Sequence, residues 1–211
     1  MTDGLVVMRG QPLHYGHIRL IDESLKLCRN TYIVLGSIQE SGTSRNPFEF
    51  EERKKMIKNY YTSPQIKPDI WNRLLVIGLE DIFSLEWPNY VLDSIIDNFP
   101  DAEITDIFGG SEYDCNWFKD YDLTFHIIDR SDIKYPFVAA SMIRDMIMYK
   151  DKRWMDYVPE CNWQIVAKKF NRLDMLNITP NIPMMSMLAS NSSVMHVKGI
   201  SKIAKAKRNK V

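Results

Sequence analysis

The sequence predicts an α/β protein built on an open parallel sheet with helices on both faces. Short apolar runs alternate with amphipathic stretches of helical period along most of the 211 residues. The first of these units consists of a strand at 5–8, a helix at about 16–29 and a strand at 32–36. This order is typical of a βαβ unit, whose two strands lie parallel. Further strands are predicted at 73–79, 104–108 and 123–128, which gives a Rossmann-like arrangement.

Helix signals occupy the connections between these strands. Asn46 is predicted to cap a helix, with Pro47 at the first helical position and Glu49 closing a capping box, and the helix runs to about Tyr60. The remaining helices are predicted to begin near Pro88 and near Ala139, and an amphipathic helix is predicted over 163–176. The last of these forms a small C-terminal helical part.

The composition is that of one globular domain. With 45% hydrophobic and 26% charged residues, the chain can bury one substantial core, assigned here to 1–176, followed by a C-terminal extension at 177–211. The three cysteines lie far apart and form no CxxC pair, which favours free thiols and a reducing compartment. No stretch approaches the roughly 18 apolar residues of a membrane span. We therefore expect a cytoplasmic protein without a membrane partner.

A formal net charge of zero hides an uneven distribution of charge. Residues 1–174 carry all 27 acidic side chains and 21 of the 27 basic ones. The other basic residues form a C-terminal tail, at Lys198, Lys202, Lys205, Lys207, Arg208 and Lys210. We expect a solvated tail that can touch polyanions, and no general role in binding nucleic acid.

The stretch from Arg9 to His17 is predicted to bind phosphate. It follows the first strand, and it carries His14 and His17 at the start of a helix. Such a helix terminus offers N–H groups and partial positive charge, and imidazoles there can donate to phosphoryl oxygens. The alternative, a zinc site, requires about four ligands, and no cysteine or acidic pair is suitably spaced nearby.

Other basic residues have two interpretations from spacing alone. Arg45 and Arg53 lie on and after a polar loop that follows the second strand, and solvated surface charge is the simpler interpretation of both. Ser141 and Arg144 share one face of a helix start, which suits a phosphate, although a capping serine beside a surface arginine would give the same pattern.

Four motifs occur in order within residues 4–176. They are Arg9-x-Gln11-Pro12-x-His14-x-Gly16-His17; Gly36-Ser37-x-Gln39-x-Ser41 with Arg45-Asn46-Pro47-Phe48 and Glu52-Arg53; Glu80-Asp81-Ile82 with Trp87; and Ala140-Ser141-Met142-Ile143-Arg144. Together they resemble the HxGH nucleotidyltransferase superfamily, and specifically its archaeal-type nicotinamide mononucleotide adenylyltransferases. The chain departs from that pattern at Met8, at Gly10 and at Ala140, where the family often has glycine, a bulky residue and glycine.

The resemblance implies an enzyme that transfers AMP from ATP to nicotinamide mononucleotide (NMN), giving NAD and pyrophosphate. It implies Mg²⁺ bound mainly through the ATP phosphates, with no dedicated protein metal site. It also implies a homo-oligomer. Two alternatives remain open: a same-fold adenylyl- or cytidylyltransferase acting on another phosphorylated acceptor, and a non-catalytic nucleotide-binding regulator.

The resemblance also assigns roles to individual residues. The catalytic set implied is His14, His17, Arg9, Arg45 and Arg144. The residues implied to bind ATP are Arg9, Gln11, His14, Gly16, His17, Arg45, Ser141, Ile143 and Arg144. NMN is assigned to Ser37, Asp81 and Trp87, with Trp87 stacking on the nicotinamide ring. An ordinary core position is the alternative for Trp87.

Overall fold

Five short strands form one parallel sheet in the computed structural model, which describes residues 2–128, 138–172 and 175–176. The strands are β1 (Asp3–Met8), β2 (Thr31–Leu35), β3 (Leu74–Gly78), β4 (Ile104–Gly109) and β5 (Thr124–Ile127). Their order across the sheet is β3-β2-β1-β4-β5, and every neighbouring pair is parallel. The predicted parallel sheet is therefore confirmed.

Helices cover both faces of the sheet, as predicted. The described residues form α1 (Tyr15–Leu27), α2 (Phe50–Tyr61), α3 (Trp87–Asn98), α4 (Glu112–Cys115), α5 (Ala140–Met148) and α6 (Trp163–Lys169). One hydrophobic cluster contains buried residues of α1, α2, α5 and α6, and a second contains those of α3 and α4. Because both faces of the sheet are packed, the central strands are largely apolar, and Leu5 and Val6 of β1 are fully buried.

The strand order creates a crevice at the carboxyl end of β1. The chain moves outward from β1 to β2 and β3, and then returns to place β4 on the other side of β1. In open α/β sheets, ligands bind outside the carboxyl ends of the strands at such a switch point. The turn at 9–14 follows β1 and the Gly109-Gly110 pair follows β4, so both lie at this edge.

The predicted start of α2 is wrong. Helix α2 begins at Phe50, with Glu49 as its N-cap and a capping box between Glu49 and Glu52. Asn46 does not cap the helix: its Nδ2 donates to the Glu40 carboxylate at 2.6 Å, and within the described residues its buried Oδ1, the atom that a cap would use, accepts no hydrogen bond. The N–H and C=O of Phe48 both bond to the side chain of Gln11, which holds this segment outside the helix.

The predicted helix over 163–176 is also too long. Helix α6 ends at Lys169, because Asn171 adopts a left-handed conformation with φ of 54°. The N–H of Arg172 bonds to the carbonyl of Ala167, and that of Asn171 bonds to the carbonyl of Lys168, which is the Schellman arrangement. The extension at 177–211 and its basic tail lie outside the described residues. In the part of the chain described here, no helix is both long and apolar enough to span a membrane.

Asp3 joins three segments at the opposite end of the sheet from the crevice. Its fully buried carboxylate accepts from Arg29 Nε and Nη2 at 3.1 and 2.9 Å, from the Asn30 backbone and side chain, and from the Glu103 N–H at 3.0 Å. Burial raises the pKa of Asp3, but these hydrogen bonds outweigh it and hold the pKa below its ordinary value.

We expect Asp3→Asn to lower the free energy of unfolding by about 1–3 kcal/mol at pH 7, because an amide cannot accept this set of bonds. Since the pKa of Asp3 is depressed in the folded protein, its contribution is complete above the ordinary pKa of about 4 and is lost as the pH falls through the depressed value. Urea unfolding at pH 7 and in acid measures both effects, and the difference from wild type should shrink in acid. Asp101→Asn, at an exposed position, is the control. An equal change in both variants would contradict this account.

Candidate functional site

His14 and His17 stack at the start of α1. His14 is the N-cap, is 5% exposed, and accepts the Gly16 N–H at its Nδ1 atom at 3.1 Å. The Nδ1 atom of His17 accepts the His14 N–H at 3.4 Å, and the ring centroids are 3.7 Å apart. Because both Nδ1 atoms accept, the neutral rings carry their protons on Nε2, and Nε2–H is the donor of each.

Gly16, between the histidines, has no room for a side chain because the ring of His14 lies against it. A Cβ atom at Gly16 would lie 2.9 Å from Cε1 and 3.0 Å from Nδ1 of His14, closer than such atoms normally approach. The predicted open helix terminus is only partly correct. The N–H of Tyr15 bonds to the carbonyl of Tyr157, and that of His17 bonds to the carbonyl of His14. At this turn the imidazoles, more than the backbone, are therefore the donors for an anion.

Three arginines from distant parts of the chain lie near one another at the turn that leads into these histidines. Arg144, in α5, donates from Nη1 to the carbonyl of Gln11 at 2.8 Å. Burial lowers the pKa of Arg144, and the nearby positive charges of Arg9 and Arg45 lower it further, against the opposing effect of Asp145. Arg9 and Arg45 are both exposed. Mutually repelling guanidinium groups at one place favour a polyanionic ligand.

Helix α5 brings an uncapped N-terminus to the same site. Its N-cap is Ala139, whose side chain makes no capping bond, and an alanine here costs about 1 kcal/mol relative to serine or aspartate. Ser141 is exposed in the first turn and lies on the same face as Arg144. The side chain of Ile143 is fully buried in the core, so any ATP contact by this residue must use its backbone.

Asp81 connects two loops at the other side of the turn. Its carboxylate accepts from the N–H of Ser37 at 3.0 Å and from the Ser37 hydroxyl, and it lies 3.8 Å from Nη2 of Arg9. Ser37 has a φ of 56°, a left-handed conformation that is uncommon for residues other than glycine. A Cβ at Gly36 would lie 3.1 Å from that carboxylate. The structure therefore brings Ser37, Asp81 and Arg9 together.

Trp87 lies on the same connection as Asp81, at the first residue of α3. Its half-buried ring packs edge-on against Phe118 and Trp117, with centroid distances of 5.8 and 6.1 Å. The ring thus belongs in part to the second hydrophobic cluster, as the core interpretation requires. Stacking of Trp87 on a substrate ring stays a prediction.

Two buried polar side chains support the turn, and sequence reasoning misjudged both. Gln11 is 1% exposed, and its side-chain amide donates to and accepts from the Phe48 backbone, so the amide pairs with protein and does not face a nucleotide. Arg53 is also 1% exposed, so its interpretation as solvated surface charge is wrong. A signal existed for Arg53, because it shares a helical face with the apolar residues Met56 and Ile57.

A cleft of about 760 Å³ opens at the histidine turn. His14, His17, Gly110 and Val138–Ala140 line one end, and the cleft continues along α1 past Tyr61. Across the described ranges, no group of three or more His, Cys, Asp and Glu side chains is arranged to hold a metal ion. The donors around the turn are imidazoles and guanidinium groups, which suit phosphate oxygens.

Comparison with known proteins assigns the family. Residues 10–195 match the family model described as cytidylyltransferase-like. The chain belongs to the cytidylyltransferase-like family. This family assignment agrees with the nucleotidyltransferase class predicted from the four motifs.

Two curated relatives of this chain belong to one group of enzymes, the nicotinamide-nucleotide adenylyltransferases. A nicotinamide-nucleotide adenylyltransferase of Pyrococcus abyssi is 30% identical over 163 residues, which are 76% of this chain and 80% of that protein. One of Saccharolobus solfataricus is 38% identical over 92 residues, which are 43% of this chain and 52% of that protein. The predicted membership among archaeal-type nucleotidyltransferases is therefore confirmed.

A solved structure supports the family fold. The chain resembles a bifunctional NMN adenylyltransferase/ADP ribose pyrophosphatase of Francisella tularensis, with a TM-score of 0.60 and 22% identity. The match covers 92% of this chain and 53% of that one, so the chain spans about half the length of the Francisella protein.

We expect Gly16→Ala to displace the ring of His14, because the added Cβ occupies the position of that ring. The bond from Gly16 N–H to His14 Nδ1 should break, and the single tautomer of His14 should be lost. Nitrogen-15 NMR of the imidazoles measures this change as averaging of the Nδ1 and Nε2 resonances. His126, which bonds to Asp106 on β4, is the internal control. Unchanged resonances of His14 would show that the glycine has another role.

Proposed function

We propose that this chain transfers AMP from ATP to NMN, forming NAD and pyrophosphate. The observation that carries the proposal is the grouping of Arg9, Arg45 and Arg144 at the turn that leads into the stacked His14 and His17, at the sheet crevice. The shared activity of the curated relatives supports the choice of reaction. The proposal treats 1–176 as the catalytic domain and 177–211 as an extension, in a cytoplasmic homo-oligomer.

The proposed reaction requires no protein nucleophile. The 5′-phosphate oxygen of NMN attacks the α-phosphorus of ATP, the bond from that phosphorus to the β-bridging oxygen breaks, and pyrophosphate leaves with the electron pair. Catalysis then consists of aligning two anions and stabilising the charge that develops on the transferred and leaving groups. Donors already fixed by the fold are suited to this task because they need no reorganisation during the reaction.

We assign the Nε2–H groups of His14 and His17 to the ATP phosphates, with His17 at the α-phosphate. Arg45 and Arg144 bind the β- and γ-phosphates, supported by Ser141 and the uncapped start of α5. Arg9 lies between the phosphates of the two substrates. Its closeness to both Asp81 and Arg144 supports this position.

Ser37, Asp81 and Trp87 are assigned to NMN. The Ser37–Asp81 pair provides a fixed carboxylate beside Arg9, and Trp87 provides an aromatic face at the start of α3. This part of the site is the one that should distinguish acceptors, because the residues at the turn recognise only phosphate. An enzyme of the same fold that uses a different acceptor would be expected to have different residues at these positions.

The ion proposed is Mg²⁺, carried on the phosphates of ATP. The Asp81 carboxylate is engaged by Ser37, and the other charged groups of the turn are cationic, so the protein offers few oxygen ligands and Mg²⁺ needs few. When bound, the ion neutralises part of the phosphate charge. The Francisella protein was crystallised with AMP and a manganese ion, which supports a divalent cation.

Incubation of the purified protein with ATP, Mg²⁺ and a panel of phosphorylated acceptors tests the reaction. We expect NAD and pyrophosphate in equal amounts with NMN, and slower turnover with the other acceptors and with CTP in place of ATP. Consumption of another acceptor without NAD formation would favour the related-transferase alternative. Nucleotide binding without any turnover would favour the regulator.

His17→Ala should lower kcat about 10²–10³-fold, because removing one donor to the developing charge costs about 3–4 kcal/mol in the transition state. The dissociation constant of ATP should change less than about threefold, since the arginines hold the β- and γ-phosphates. Single-turnover kinetics and ATP titration measure the two effects separately. Lys26→Ala, on the exposed last turn of α1, is the control. An unchanged kcat would refute the role of His17.

A further inference from the structure

The guanidinium group of Arg53 joins three separate segments of the chain. From the buried face of α2, Nη1 donates to the carbonyl of Arg9 at 2.9 Å and to the carbonyl of Gly36 at 2.7 Å. The Nε atom donates to the carbonyl of Glu49 at 3.4 Å. One side chain thus connects the turn after β1, the end of β2 and the start of α2.

Burying the positive charge of Arg53 costs free energy unless the guanidinium group is hydrogen-bonded. Burial lowers the pKa of Arg53, and the negative charge of Asp81 opposes that effect. Among the described residues, Nη2 of Arg53 is buried and has no hydrogen-bond partner. An apolar side chain at this position would remove a donor from the carbonyls of Arg9, Gly36 and Glu49, which lowers stability. A positioning role for Arg53 therefore has to be measured separately from its contribution to stability.

The bonded carbonyls belong to residues that hold the candidate site. Arg9 extends its own side chain toward Asp81, with Nη2 3.8 Å from the carboxylate. The Gly36 carbonyl immediately precedes Ser37, whose strained backbone donates its N–H to the same carboxylate at 3.0 Å. Because Arg53 holds both carbonyls, it fixes the geometry of Arg9 relative to the Ser37–Asp81 pair.

We propose that Arg53 is a positioning residue that aligns Arg9 with the Ser37–Asp81 pair, and so sets the relative position of the two substrate phosphates. It acts through backbone carbonyls and does not touch substrate. The inference rests on the proposed function for its catalytic consequence, but its structural part is measurable without turnover. Gln11 fixes the far end of the same turn through Phe48, so Arg53 controls the near end.

The catalytic test compares Arg53→Met, Arg53→Lys and Lys55→Met. Lys55 lies on the exposed side of α2, so Lys55→Met also removes one positive charge from this helix, but at a position in solvent. We expect Arg53→Met to lower kcat about 10²-fold, as for an alignment error of about 1 Å, with less than a threefold change in the dissociation constant of ATP. Arg53→Lys should recover part of this loss, because an ammonium can donate but lacks the planar fork. Lys55→Met should stay within about twofold of wild type.

Two further measurements separate positioning from a merely structural role. In an Arg9→Ala background, Arg53→Met should cost less than about tenfold in kcat, because its effect passes largely through Arg9. Hydrogen exchange should show about tenfold less protection of the Ser37 N–H in Arg53→Met and none of this loss in Lys55→Met. Thermal unfolding of each variant identifies any loss that follows from stability.

The outcomes distinguish failure of the inference from failure of the proposed function. Absence of NAD formation by the wild-type protein overturns the function, and the Ser37 exchange then decides the positioning role by itself. Additive effects of Arg9→Ala and Arg53→Met, or unchanged Ser37 protection, overturn the inference even if the wild type makes NAD. A kcat loss that follows the loss of thermal stability also overturns it.

Discussion

The reciprocal pair of hydrogen bonds between the Gln11 amide and the Phe48 backbone holds the turn on which the site depends. The bonds measure 2.9 and 2.8 Å, are buried, and join residues 37 positions apart. They keep Pro47 and Phe48 out of α2, and they fix the end of the loop that carries Arg45. The same turn supplies the Gln11 carbonyl that receives Arg144. The hydrogen bonds between Gln11 and Phe48 therefore determine both where α2 begins and where the arginines meet the turn.

Positive charge is in excess among the residues discussed at the crevice. Arg9, Arg45 and Arg144 repel one another, and Asp81 provides a negative charge beside Arg9. A hydrogen bond from Arg144 to the Gln11 carbonyl holds one of these guanidinium groups in place against the repulsion. A polyanion at the crevice would relieve this repulsion, which is the physical basis of the ATP binding proposed above.

Much of the fold could be predicted from local pattern. The apolar runs at 5–8 and 104–108 became β1 and β4 with boundaries shifted by one or two residues, because strand formation follows local alternation and burial. The histidine pair also followed from local spacing, since the capping geometry of α1 involves neighbouring residues. The start of α2 could not be predicted, because Asn46 and Phe48 are held by partners elsewhere in the loop and in the turn.

By itself the sequence determined the alternation of strands and helices, the position of the histidine turn and the four motifs. Each depends on residues close together in the chain. Only the tertiary structure decided that Arg53 is buried, that the Gln11 side chain pairs with backbone and that Asp81 is held by Ser37. Apart from the Glu49 carbonyl, their partners lie 17 to 44 residues away, so burial and hydrogen bonding there depend on the packing of whole elements.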